Sequence, residues 1–127
     1  MKKSLRLIKK EFSVIKNILY HYFVIVIIGL LSPVGDLTGT EVDHCTLHFT
    51  WTAPYTLQGV PITYYNITIT RHSDGAVLGS YTTNTTEIPY SVSSLGETLE
   101  VVVAAVNDVG TGNSSVITVH SPSSSKL

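Results

Sequence analysis

The chain has 127 residues, of which 43% are hydrophobic and only 13% charged, against about 25% charge in an ordinary soluble domain. That length holds one domain and about thirty further residues. So apolar a composition excludes a disordered chain, and a formal charge of -1 excludes the basic excess of a nucleic-acid binder. One cysteine excludes an internal disulfide framework and a four-cysteine zinc site.

Charge divides the chain in two. Residues 1–16 hold Lys2, Lys3, Arg6, Lys9, Lys10 and Lys16 against Glu11 alone, a basic arm of +5. Residues 17–127 hold Arg71 and Lys126 against eight acids, a balance of -6. Between them, residues 17–32 form an apolar segment whose stretch Ile18–Leu31 carries no formal charge. A spanning helix needs about 20 apolar residues, and the apolar core of a secretory signal about 7–15. The preceding lysines favour the cytoplasmic side, which directs the downstream chain outward. No small-x-small site follows, and Pro33 comes directly after Ser32, so an uncleaved signal-anchor stands beside a cleaved signal. A buried core helix and a misassigned start are the competing readings. Leu5, Ile8, Phe12, Ile15, Leu19 and Tyr22 also form a heptad-like row, as in a basic helix on an anionic membrane surface.

From Pro33 the pattern changes to period two. Cys45, Leu47, Phe49 and Trp51 alternate with His44, Thr46, His48 and Thr50. Tyr65, Ile67 and Ile69 alternate with Tyr64, Asn66, Thr68 and Thr70, and Leu99, Val101, Val103 and Ala105 with Glu100, Val102, Ala104 and Val106. Such alternation marks half-buried strands, whose successive side chains point to opposite faces. Turn residues separate the runs at Ala53-Pro54, Gly59–Pro61, Ser73–Gly75, Ser94–Gly96 and Asn107–Ser115. The spacing predicts strands at 35–40, 45–52, 62–71, 76–82, 85–90, 98–107 and 115–120. Seven short strands without a helical period read as an all-β, seven-stranded antiparallel immunoglobulin-like sandwich over residues 33–122, preceded by the apolar helix. Residues 123–127 complete a Ser-rich, linker-like tail.

Four elements carry a family resemblance: Pro33–Leu37, Trp51–Pro54, Ile62–Ile67 and Val101–Gly112 followed by Ser114-Ser115. In this order and spacing they resemble a fibronectin type III domain over the whole second piece. The resemblance implies that Trp51 and Tyr65 face each other across a core about 10 Å thick. It also implies a tyrosine at the corner leading into the sixth strand. This chain has Leu99 there, which forfeits a corner hydrogen bond worth about 1 kcal/mol. Gly110 and Gly112 are expected to supply positive φ in the last hairpin, and Asn107 to bond local backbone. The resemblance places a candidate binding loop at Asp108, Val109, Gly110, Thr111 and Gly112. That loop has no arginine-glycine-aspartate tripeptide. Val102 and Val106 beside Tyr64 are a second, apolar candidate strip.

No catalytic, cofactor or metal site is expected. Cys45, in phase with the inward row, reads as a small buried hydrophobe, with a free thiol for a partner chain as the alternative. His44 and His48 stand about 13 Å apart on an extended strand, too far to share an ion. Asp36, Asp43, Asp74 and Asp108 fall where aspartate serves turns. No serine lies in a nucleophile elbow, and Gly110-Thr111-Gly112 opens no helix and is no phosphate loop. Three sequons, at Asn66, Asn84 and Asn113, are glycosylation candidates in an exported domain. The expected protein is a non-catalytic, extracellular protein-binding or adhesion module, secreted or held at a membrane by its N-terminal segment. Its expected partner is a protein, with no nucleic acid and no small-molecule substrate. The alternative is a passive spacer or a fragment of a larger multidomain receptor.

Overall fold

The computed structural model describes residues 15–19, 30–56 and 60–122. The basic arm lies outside them except for residues 15 and 16, as does the apolar segment except for 17–19 and 30–32. Residues 15–19 are helical, and among the described residues no helix is long and apolar enough to cross a membrane.

Seven strands follow: β1 Gly35–Asp43, β2 Thr46–Thr52, β3 Tyr64–Arg71, β4 Val77–Thr83, β5 Glu87–Ser91, β6 Thr98–Val106 and β7 Ser115–His120. They form a three-stranded sheet in the order β1-β2-β5 and a four-stranded sheet in the order β4-β3-β6-β7, with every pairing antiparallel. The period-two rows become the two inner faces. Leu47, Phe49 and Trp51 of β2 and Tyr90 of β5 face Tyr65, Ile67 and Ile69 of β3 and Leu99, Val101, Val103 and Ala105 of β6. Phe49, Ile67, Ile69, Leu99, Val101 and Val103 are fully buried. At about 1.5–3 kcal/mol for each large apolar side chain removed from water, these rows are the main force holding the sheets together.

Trp51 and Tyr65 meet edge to face across the sheets, with ring centroids 5.4 Å apart and planes at 65°, a geometry the ring quadrupoles favour. The indole Nε1–H of Trp51 is buried and has no hydrogen-bond acceptor among the described residues. The ring is held for its surface and shape, and its buried donor costs about 1–3 kcal/mol. Leu99 is buried against the same core, so an aliphatic corner residue fills the volume without a hydroxyl.

Several strand limits differ from the spacing-based expectation. β1 runs on to Asp43 instead of ending at 40, because two register irregularities let it keep pairing with β2. The first, between Gly35 and Thr38, contains Asp36, whose φ is 49°, a left-handed conformation that aspartate tolerates better than most residues. β3 begins at Tyr64 rather than 62, and β5 at Glu87 rather than 85, because the preceding residues form loops. Cys45 is not in the buried row. The Asp43 carboxylate accepts the Cys45 amide at 2.9 Å, which closes a tight turn and leaves Cys45 exposed, one residue before β2.

Because Trp51 is buried in the inner face, Trp51→Ala should lower unfolding free energy by about 3–5 kcal/mol, the range for a large buried aromatic. Trp51→Phe should cost less than half as much, because it keeps ring contact and removes an unsatisfied donor. Chemical denaturation of both variants checks this.

Candidate functional site

Antiparallel pairing sends alternate connections to opposite ends. At one pole lie residues 31–34, residues 53–56 and 60–63 of the β2–β3 connection, the β4–β5 turn at 84–86 and the β6–β7 loop at 107–114. Cross-bonds tie them together: Thr63 N to Val106 O at 2.7 Å, Trp51 N to Thr86 O at 3.0 Å and Asn113 N to Leu31 O at 3.1 Å. At the other pole lie the turns at 44–45 and 72–76, the 92–97 loop and residues 121–122. That pole is pinned by Arg71, which reaches Asp74 and Glu97 at 3.0 Å each. The backbone amide of Ala76 and then the Arg71 guanidinium hold the Asp74 carboxyl below its ordinary range.

The candidate loop Asp108–Gly112 is shaped from below by Asn107, which is buried. Its side-chain oxygen accepts the amides of Val109 at 3.0 Å and Gly110 at 3.1 Å. Backbone bonds between Asn107 and Gly110 close the turn in both directions. Asp108 and Thr111 are exposed, while Val109, Gly110 and Gly112 are half-buried. A loop fixed in this way loses little further entropy when it meets a partner. Gly110 has a positive φ of 153°, as expected. Gly112 does not. A Cβ there would strike the Leu31 carbonyl oxygen, and would approach the Leu31 side chain to 2.7 Å. Its role is close approach, and the loop base rests on Leu31.

Sequence periodicity did not single out Tyr55 or Leu31. Tyr55 is 84% exposed in the β2–β3 loop, at the same pole as Asp108–Gly112. An exposed aromatic on a loop breaks no sequence rule, so no signal marked it. Leu31 sits inside the stretch read as apolar segment, yet it is 4% exposed and belongs to the sandwich core. Around it, Leu30, Leu31, Ser32, Thr111, Gly112 and Asn113 line an open groove of about 330 Å³.

The apolar strip is smaller than its sequence suggests. Val106 is buried, paired with Tyr64 on one side and bridged to Thr111 on the other. Val102 is half-buried opposite exposed Val116. Asn66 lies mid-strand between Thr82 and Ala104 and is half-buried. Asn84 and Asn113 are both exposed at the loop pole.

Asp43, His44 and Cys45 bring three potential ligand atoms within 4.8 Å of one another, a cluster the strand spacing of His44 and His48 did not reveal. Consecutive residues of a tight turn are necessarily close, and the Asp43 carboxylate already accepts the Cys45 amide. Hydrogen bonding to that carboxylate pushes the Cys45 thiol above its usual range, which disfavours the thiolate a metal or an electrophile requires. The histidine–carboxylate pairs His48–Glu87 at 3.7 Å and His72–Glu100 at 4.0 Å are surface pairs of the kind worth about 0–1 kcal/mol.

Gly112→Ala should push Leu31 off the loop and lower stability by about 1–3 kcal/mol, as overpacking does. Asn107→Ala should cost about 1–3 kcal/mol and speed amide exchange at Val109 and Gly110. Denaturant melts and residue-resolved hydrogen exchange check both.

The fibronectin type III domain model matches residues 32–121. No curated protein sequence matches the chain significantly. Among solved structures, the sixth fibronectin type III domain from human fibronectin type III domain containing protein 3 is similar with 19% identity and a TM-score of 0.64, over 74% of this chain and 88% of that one. Domains d3-d4 of the rat CD45 extracellular region match with 14% identity and a TM-score of 0.63, over 71% of this chain and 49% of that one. The twitchin kinase region from C. elegans matches with 16% identity and a TM-score of 0.66, over 77% of this chain and 18% of that one. This chain thus spans about half of the CD45 fragment and under a fifth of the twitchin one. At these identities the likeness is one of fold, and that fold serves an extracellular region and a kinase region alike. A family model covering the entire sandwich, on a chain whose two sheets pack as in those domains, leads to one conclusion: the chain belongs to the fibronectin type III family.

Proposed function

We propose that this chain is a non-catalytic fibronectin type III module, exported to the cell exterior, that recognises a protein partner through its loop pole. Domains of this family commonly mediate protein interactions. One observation carries the reading: a loop pre-shaped by buried Asn107 presents Asp108 and Thr111 at the same pole as an almost fully exposed Tyr55. A tyrosine on a rigid scaffold is a favoured anchor for protein contacts, because much contact area is gained for few frozen torsions. The basic arm and apolar segment support export in the signal or signal-anchor manner.

Leu31 bears on which form is active. It packs in the core, so the apolar segment reaches the sandwich with no spacer. In an anchored chain the loop pole would stand against the bilayer. Loop-pole recognition therefore goes with a released chain whose N-terminus lies before Leu31.

A second reading is a passive spacer or a fragment of a larger multidomain receptor. It is favoured by the chain reaching β1 at one pole and leaving β7 at the other, which suits modules strung end to end.

Labelled protein released into the medium by secretory cells expressing the full chain, titrated onto cell surfaces, separates the two. Saturable binding weakened at least tenfold by Tyr55→Ser, or by Asp108→Ala with Thr111→Ala, supports recognition. No saturable binding, or binding indifferent to both variants, supports the spacer. For export, the sandwich should resist added protease after translation with endoplasmic-reticulum microsomes, and complete digestion would sink that claim. Secreted protein should begin upstream of Leu31 on N-terminal sequencing.

A further inference from the structure

We propose that Asn84, in the β4–β5 turn, is an acceptor of an N-linked glycan that stands at the loop pole; the proposal rests on the export reading above. The sequence offers three sequons, and the fold treats them differently. Asn113 donates its backbone N–H to Leu31 O at 3.1 Å. The hydroxyl of its sequon, on Ser115, donates to Val34 O at 2.6 Å. That hydroxyl is part of the acceptor motif, and here folding closes it into the joint between β1 and β7. Asn66 is half-buried in the middle of β3, flanked by β4 and β6. At both sites glycan transfer competes with folding.

At Asn84 it does not. Asn84, Thr85 and Thr86 are all exposed. The turn is held by its other two threonines: Thr83 Oγ1 and Thr85 Oγ1 bond each other at 2.8 Å, and Thr85 Oγ1 donates to Glu87 O at 2.9 Å. Among the described residues, Thr86 is tied in only through its carbonyl, which accepts Trp51 N–H. A glycan on Asn84 therefore breaks none of these bonds, and the site stays available after the sandwich has formed.

The transfer balances with one co-reactant, a lipid-diphosphate-linked oligosaccharide. The Asn84 side-chain nitrogen attacks the anomeric carbon of the sugar. A carbon–nitrogen bond forms there, and the bond from that carbon to the diphosphate oxygen breaks, its electron pair leaving with the lipid diphosphate. The amide proton passes to a base. No group is oxidised or reduced. A glycan so placed shares its pole with Tyr55 and Asp108–Gly112 and narrows the directions from which a partner can approach.

The full chain is translated with endoplasmic-reticulum microsomes. Protease protection reports translocation, and mass with and without an N-glycosidase reports glycans. The expected result is a glycosidase-sensitive ladder that loses one step in Asn84→Gln. Thr86→Ala should lose the same step and Thr86→Ser should keep it, which separates loss of the acceptor from misfolding. A protected chain without any glycosidase-sensitive step overturns the proposal, as does an unchanged ladder in Asn84→Gln. If the full chain is not protected, the export reading fails by itself. The full chain behind a cleavable heterologous leader, confirmed as protected, then decides the acceptor question by the same ladder.

Discussion

Contact between Trp51 and Tyr65 fixes how the two sheets sit on each other, and much of the molecule depends on it. Trp51 belongs to the three-stranded sheet and Tyr65 to the four-stranded one. Their rings meet edge to face at 5.4 Å, at the end of each inner row nearest the loop pole. A one-residue slip in either strand would turn that ring, and every apolar residue in phase with it, toward water. The price of so large an anchor is a buried indole donor without an acceptor among the described residues. Ring area outweighs that loss, since an aromatic buries 150–250 Å², in order-of-magnitude terms about 4–6 kcal/mol.

The two poles arise from this packing and from antiparallel topology, and they differ in chemistry. One is closed by charge: Arg71 joins the 72–76 turn to the 92–97 loop through Asp74 and Glu97. The other is closed by shape. Gly112 lies so near the Leu31 carbonyl that no side chain fits between them, and the Ser115 hydroxyl fastens β7 to Val34. The loop pole is thus built partly from the segment that precedes β1.

The strand pattern was legible because burial on one face of a sheet imposes period two on sequence. Phe49, Ile67 and Val101 could be assigned inward from spacing alone, as could the aromatic pair. Three residues depart from that pattern, each because of a specific contact. Cys45 is in phase with Leu47, but an aspartate cap turns the chain before the ladder begins. Val106 is in phase with the outer face, but Tyr64 and Thr111 flank it on both sides. Gly112 looked like a turn glycine, whereas it is a contact glycine. For Val106 and Gly112 the deciding partners, Tyr64 and Leu31, are distant in sequence, and for Cys45 the partner Asp43 is two residues away and acts through a turn that periodicity does not describe.

By itself the sequence determined the all-β class, the seven strands, the inner rows and the family resemblance. The first three come from alternation and turn residues, which act over a few neighbouring positions, and the resemblance comes from four short elements in order along the chain. Tertiary structure alone decided that Leu31 belongs to the core, that Tyr55 and Asp108–Gly112 share one pole, and that the three sequons differ in their engagement with the fold. Those are relations between residues tens of positions apart. They arise when antiparallel pairing brings alternate loops together, and no local pattern in the chain encodes that meeting.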